Sequence, residues 1–192
     1  LAKVSRSLTV NMYQETVDQN DSYVNRVLRP IPGYKVYQNI PGKCRGMFAC
    51  SNGGIYAVFG DDLWLVREGR HYLIGTLASS DNTVHFVETG AGVFDRRTLE
   101  KKDFPSHLVM VDGIGCYAVD TTKKPAQQAV DFRTITIPTR DSAHSVPIVP
   151  THVAYLYGYV CVNDAGTDNF YVSYQYPFQR TKEGGGLDDD IF

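Results

Sequence analysis

The sequence predicts an all-β fold of repeated antiparallel hairpins, arranged as a partial or complete β-propeller behind an extended amino-terminal arm. Three observations carry that expectation. Aromatic residues make up 12% of the 192-residue chain, with 13 Tyr and 9 Phe against 3 Met, and Tyr, Phe, Val and Thr are the side chains that fit a pleated, half-buried surface. Short apolar runs bounded by Gly, Asn, Asp and Pro recur from about residue 44 onward, while helix-period patterning is hard to find. One hairpin pattern also repeats along the chain.

Taken in order, residues 1–43 stand outside the repeat and read as an extended arm. The arm contains Val10-Asn11-Met12-Tyr13, then Leu28-Arg29-Pro30-Ile31-Pro32-Gly33, then Ile40-Pro41-Gly42, and its prolines fix φ and remove ladder donors. Residues 44–181 read as propeller-like blades, with strand-like runs at 45–50, 54–59, 63–67, 72–77, 84–88, 108–111, 116–119, 130–136, 153–157, 159–162 and 170–174. Asn52-Gly53-Gly54, Asp61-Asp62 and Asp112-Gly113 supply the tight turns between them. Two longer stretches, 90–106 and 138–151, read as irregular excursions between hairpins. Residues 182–192, with Gly184-Gly185-Gly186 and Asp188-Asp189-Asp190, read as a flexible acidic tail or a truncated continuation.

The repeat is Gly54-Ile55-Tyr56-Ala57-Val58, recurring as Gly115-Cys116-Tyr117-Ala118-Val119 and more loosely as Gly158-Tyr159-Val160-Cys161-Val162. Each copy follows an apolar strand that ends in a turn, and the copies begin 61 and then 43 residues apart. Such a unit matches the inner part of a four-stranded propeller blade of about 40 to 50 residues. In that reading Tyr56, Tyr117 and Tyr159 occupy equivalent inner strands. A β-sandwich built from the same hairpins is the alternative. About three units fit the chain, whereas closed propellers have at least four blades, so a propeller needs further blades from elsewhere.

Charge and motif content exclude several functions. The formal net charge is −2 and the pI about 6.2, which gives no basis for strong non-specific adhesion to nucleic acid. Residues 1–48 nevertheless carry a local +4, suited either to docking on an acidic partner or to simple solvation. The longest apolar stretch is far shorter than the roughly 20 residues a membrane span needs. Cys44, Cys50, Cys116 and Cys161 form no C-x-x-C pair, and the five histidines form no H-x-x-x-H pattern, so no metal or cofactor is expected. Cys116 and Cys161 read as small buried hydrophobes. His85 and His152 read as strand-edge residues, and Asp61-Asp62 as a turn rather than a general acid/base pair. Trp64, beside Tyr56 and Phe59, reads as blade packing rather than a stacking platform. No catalytic constellation is present, and a propeller-type carbohydrate-binding protein or glycosidase is the alternative function.

The arm segments, the Arg45-Gly46-Met47-Phe48 strand, the Gly54-to-Val58 hairpin, Leu73-Ile74-Gly75 and the later runs at 152–159 and 170–174 occur in a fixed succession. That succession resembles the packaged-DNA stabilisation proteins of short-tailed bacteriophages, over residues 10–176 and matching the amino-terminal portion of a family member. The resemblance implies a non-enzymatic virion protein in the tail hub or plug, β-propeller in character and assembled as a homo-oligomeric ring. It also implies retention of packaged DNA with at most weak contact, and partners in the portal, the adaptor and the tail needle or fibres. Asn11, Tyr13, Arg29, Pro30, Pro32, Gly33 and Arg45 are the expected subunit-interface residues, with Arg29 and Arg45 as anchors.

Overall fold

The computed structural model describes residues 12–16, 26–30, 35–90, 93–95, 100–102, 106–141, 146–179 and 190–192. It divides into two units, Leu1–Tyr37 and Gln38–Phe192, a few residues before the boundary expected at 43. In the first unit β1 (Met12–Thr16) pairs antiparallel with β2 (Arg26–Pro30), so the expected extended arm contains a hairpin.

The second unit opens with a four-stranded meander of β3 (Cys44–Ala49), β4 (Ile55–Phe59), β5 (Asp62–Arg67) and β6 (Arg70–Thr76), in which sequence neighbours are sheet neighbours. Its turns follow their residues. The Asn52 side-chain oxygen accepts from the Gly54 amide at 2.8 Å. Glu68 and Gly69 both take positive φ, 52° and 74°, as a two-residue hairpin between Arg67 and Arg70 requires.

The middle sheet comprises β7 (His85–Glu88), β10 (His107–Val111), β11 (Cys116–Asp120) and β12 (Arg133–Ile135), in that order. The excursion between β7 and β10 carries a ribbon of β8 (Val93–Asp95) and β9 (Glu100–Lys102) rather than irregular chain alone. Before β12 lies helix α1 (Pro125–Asp131), which corrects the strand expected over 130–136. Pro125 in the first turn has the φ a helix start needs and lacks only a donor that would be unpaired there.

The second excursion likewise holds a ribbon, β13 (Thr139–Asp141) with β14 (Val146–Pro147). The last sheet is a three-stranded meander of β15 (Val153–Leu156), β16 (Tyr159–Asn163) and β17 (Phe170–Val172). A 3-10 turn, Pro177–Gln179, follows. The fold is thus all-β and antiparallel, and among the described residues no sheet closes on itself.

The three larger sheets of the second unit stack as layers. Because side chains alternate across a strand, Leu108, Met110, Tyr117 and Val119 of the middle sheet enter one core with Tyr56, Val58, Leu63 and Leu65 of the first sheet. Val109, Val111, Cys116 and Ala118 enter a second core with Val160 and Val162 of the last sheet. Every residue of β10 and β11 is consequently buried. Gly75 is required by this packing, since a Cβ there would lie 2.2 Å from the Phe132 ring, which itself stacks on Tyr117.

Ile191 is fully buried in the second core and its carbonyl accepts from the Tyr174 amide at 3.0 Å. Residues 182–189 lie outside the described residues. The repeat holds for two copies, as Tyr56 and Tyr117 enter the same core. The third copy is out of phase. Gly158 is followed directly by Tyr159, with no intervening residue, and a one-residue shift sends the tyrosine to the face opposite Val160 and Val162.

Candidate functional site

Polar groups converge at the two seams flanking the middle sheet. At the first seam Arg45, buried on β3, donates from Nε to the Asn82 carbonyl at 2.6 Å and from Nη1 to the Gly60 and Ser79 carbonyls at 2.7 and 2.5 Å. Its Nη2 donates to the Ser79 hydroxyl. The Ser79 amide in turn donates to Asp112 Oδ2 at 3.1 Å. Asp112 Oδ1 accepts from the Ile114 and Gly115 amides at 3.0 and 2.7 Å, closing the β10–β11 turn. Tyr117 donates its hydroxyl to Asp112 at 3.3 Å and accepts from the Ala78 amide at 2.8 Å.

Burial alone would raise the Asp112 pKa, but the donors from Gly115, Ile114 and Ser79 outweigh it and hold the carboxyl below its ordinary value. Burial pushes the Tyr117 hydroxyl up to about 12, so it stays a neutral donor. The network is a clamp: each buried member is paired, and the Arg45 and Asp112 charges are linked through Ser79.

Between the β13–β14 ribbon and the last sheet, Arg140 grips buried Asp164 through two bonds, Nε to Oδ2 at 2.7 Å and Nη2 to Oδ1 at 2.5 Å. The fork geometry, together with the Val149 amide, holds Asp164 down at about 2. Beside it, His85 and His152 face each other with ring centroids 4.2 Å apart. They share a cavity of about 390 Å³ whose wall also includes Asn82, Asp112 and Thr151. Burial, and then the neighbouring His152 ring, lowers the His85 pKa.

The outward faces of the stack carry exposed apolar side chains. On the first sheet Met47, Ala57, Trp64 and Leu73 form one row across all four strands, with Met47 66% and Leu73 48% exposed. On the last sheet Leu156, Phe170 and Val172 lie outward, 61%, 70% and 43% exposed. A sheet face that normally meets water is polar, and apolar faces of this kind mark contact surfaces.

The structure distributes the expected interface residues as follows. Tyr13 and Arg29 are register partners in the β1–β2 hairpin, as Pro30 is with Met12. Asn11, Pro32 and Gly33 lie outside the described residues. Arg45, expected to anchor a neighbouring subunit, is spent inside its own chain, where its donors meet carbonyls and a serine. Its partners lie far along the chain, so no local pattern marks them.

Asp61 and Asp62 act in the β4–β5 turn and at the adjoining strand edge: the Asp61 carbonyl accepts from the Leu77 amide, and Asp62 from the Thr76 hydroxyl. Trp64 is half-buried and meets His71 edge-on, with centroids 5.4 Å apart. Cys116 is buried, and that burial raises its thiol to about 12. Among the described residues no cluster of three or more metal-ligating side chains occurs, and no helix is long and apolar enough to cross a membrane.

Fold and seams together define a class, the antiparallel all-β proteins built from consecutive face-packed meanders. No protein-family model matches the sequence, and no curated protein matches it.

Proposed function

We propose that this chain is a non-enzymatic structural protein of a short-tailed phage virion, a tail hub or plug module whose three sheets serve as consecutive propeller blades. One observation carries the reading. The two central strands of the middle sheet are buried on both faces, and the first and last sheets each turn exposed apolar side chains outward, as blades do where further blades abut them. The order of arm and hairpin motifs supports the phage assignment, with portal, adaptor and needle or fibre proteins as partners and the virion tail as location. The net charge of −2 suits a part that lets DNA pass, because each Lys or Arg contact to phosphate adds affinity through counterion release.

The test is to purify the full-length protein and examine it by mass measurement and electron microscopy, alone and with the portal–adaptor complex. Rings that bind the adaptor are the expected result. A monodisperse monomer indifferent to every tail component overturns the proposal.

A further inference from the structure

His85 and His152 are brought together from different sheets, at the place where β7 packs against β15. His85 opens β7 and is fixed opposite Val111 in the ladder. His152 precedes β15, and its amide donates to the Asn163 side chain at 2.7 Å. The same Asn163 oxygen accepts from the Thr151 amide at 3.0 Å, so the backbone carrying His152 is also tied down. The rings lie 4.2 Å apart with planes tilted by 38°, on the wall of the 390 Å³ cavity. Thr151 Oγ1 lies 3.1 Å from His152 Nδ1, the kind of outer partner that orients an imidazole ligand.

Two fixed imidazoles bordering one cavity are a donor set for borderline divalent ions such as zinc, nickel or copper, which favour imidazole nitrogen. Calcium and magnesium require several oxygen ligands. The one carboxylate on this wall, Asp112, already accepts from Ser79, Ile114, Gly115 and Tyr117. We propose that His85 and His152 form a two-imidazole site for a borderline divalent transition-metal ion that staples the middle sheet to the last sheet. With two protein ligands the remaining positions are filled by water, so the ion exchanges readily. The site stands on the seam geometry and is independent of the virion assignment.

The experiment uses tag-free, chelator-treated full-length chain titrated with zinc chloride or nickel chloride. Calorimetry gives the stoichiometry, and imidazole nitrogen NMR shows which rings respond. Expected are one bound ion per chain, joint movement of the His85 and His152 signals, and a metal-dependent rise in melting temperature. His152→Gln, at an exposed position, keeps the fold by circular dichroism and weakens binding about tenfold or more, with His85→Gln behaving likewise. Absence of binding at millimolar metal, binding that leaves both rings unmoved, or undiminished binding in His152→Gln overturns the site. The ring and adaptor assays score the virion reading separately.

Discussion

The two faces of the middle sheet are joined to their neighbours by different means. Toward the first sheet it presents Leu108, Met110, Tyr117 and Val119, and the Arg45–Ser79–Asp112 clamp beside them is buried. Toward the last sheet it presents the smaller Val109, Val111, Cys116 and Ala118. That core is completed by Ile148, Phe178 and Ile191 from irregular segments. The polar contacts near it, Arg140 with Asp164 and the histidine pair, stand where one partner reaches solvent. Larger side chains remove more apolar area from water, at about 25 cal/mol per Å², so the middle sheet's own side chains contribute more at the first seam than at the second.

The largest expected effect tests that ranking directly. Met110→Ala hollows the first seam and should cost about 2–5 kcal/mol in chemical denaturation. Val109→Ala, the adjacent residue on the opposite face, removes about two methylene equivalents, or roughly 1.6 kcal/mol of transfer free energy. Equal losses for the two variants would abolish the distinction between seams. Next comes Arg45→Met, which orphans the Gly60, Ser79 and Asn82 carbonyls and should cost about 1–3 kcal/mol. Arg140→Met strands the buried Asp164 carboxylate and should cost a comparable amount in the same measurement. A harmless Arg45→Met would mean that water replaces the clamp.

Most of the hairpins were legible because turn chemistry is local. Asn52-Gly53-Gly54 and Asp112-Gly113 mark hairpins whose strands fall within a residue or two of expectation. Helix α1 was hidden because Val130 and the Arg133–Ile135 strand merge into one apparent run, although Pro125 marked its start. The third repeat misled for the opposite reason, since similar composition at Tyr159 concealed a one-residue slip that reverses the face. The clamp and the histidine pair were invisible: their members come from different sheets, and only tertiary packing brings Arg45 to Ser79 or His85 to His152. Even the burial of Ile191 rests on a contact with the second core that no nearby residue announces.

A smaller effect comes from acid. Asp164 is held at about 2, against about 3.9 when unfolded. A carboxyl depressed in the folded state adds stability above its unfolded pKa and loses it as pH falls through the folded value. The contribution of the Asp164 carboxylate should therefore be complete above about pH 4 and vanish toward about pH 2. Near-ultraviolet circular dichroism and denaturation across that window should show Asp164→Asn with a flatter pH dependence than the parent. Identical slopes would remove Asp164 from the chain's acid response. Asp112 is also depressed, so some pH dependence persists in the variant.

The smallest expected change in the isolated chain lies on the outward faces. Met47→Gln touches a residue 66% exposed on the first sheet, and substitutions at such sites usually shift stability by no more than about 0.5 kcal/mol. The value of the variant is in the contrast with Met110. If the outward row of Met47, Ala57, Trp64 and Leu73 is covered by another sheet in the assembled particle, Met47→Gln leaves dilute-chain denaturation unchanged yet shifts sedimentation toward smaller species. Leu156→Gln should do the same from the last sheet. If sedimentation is as insensitive as denaturation, the apolar row is merely tolerated by solvent and carries no contact.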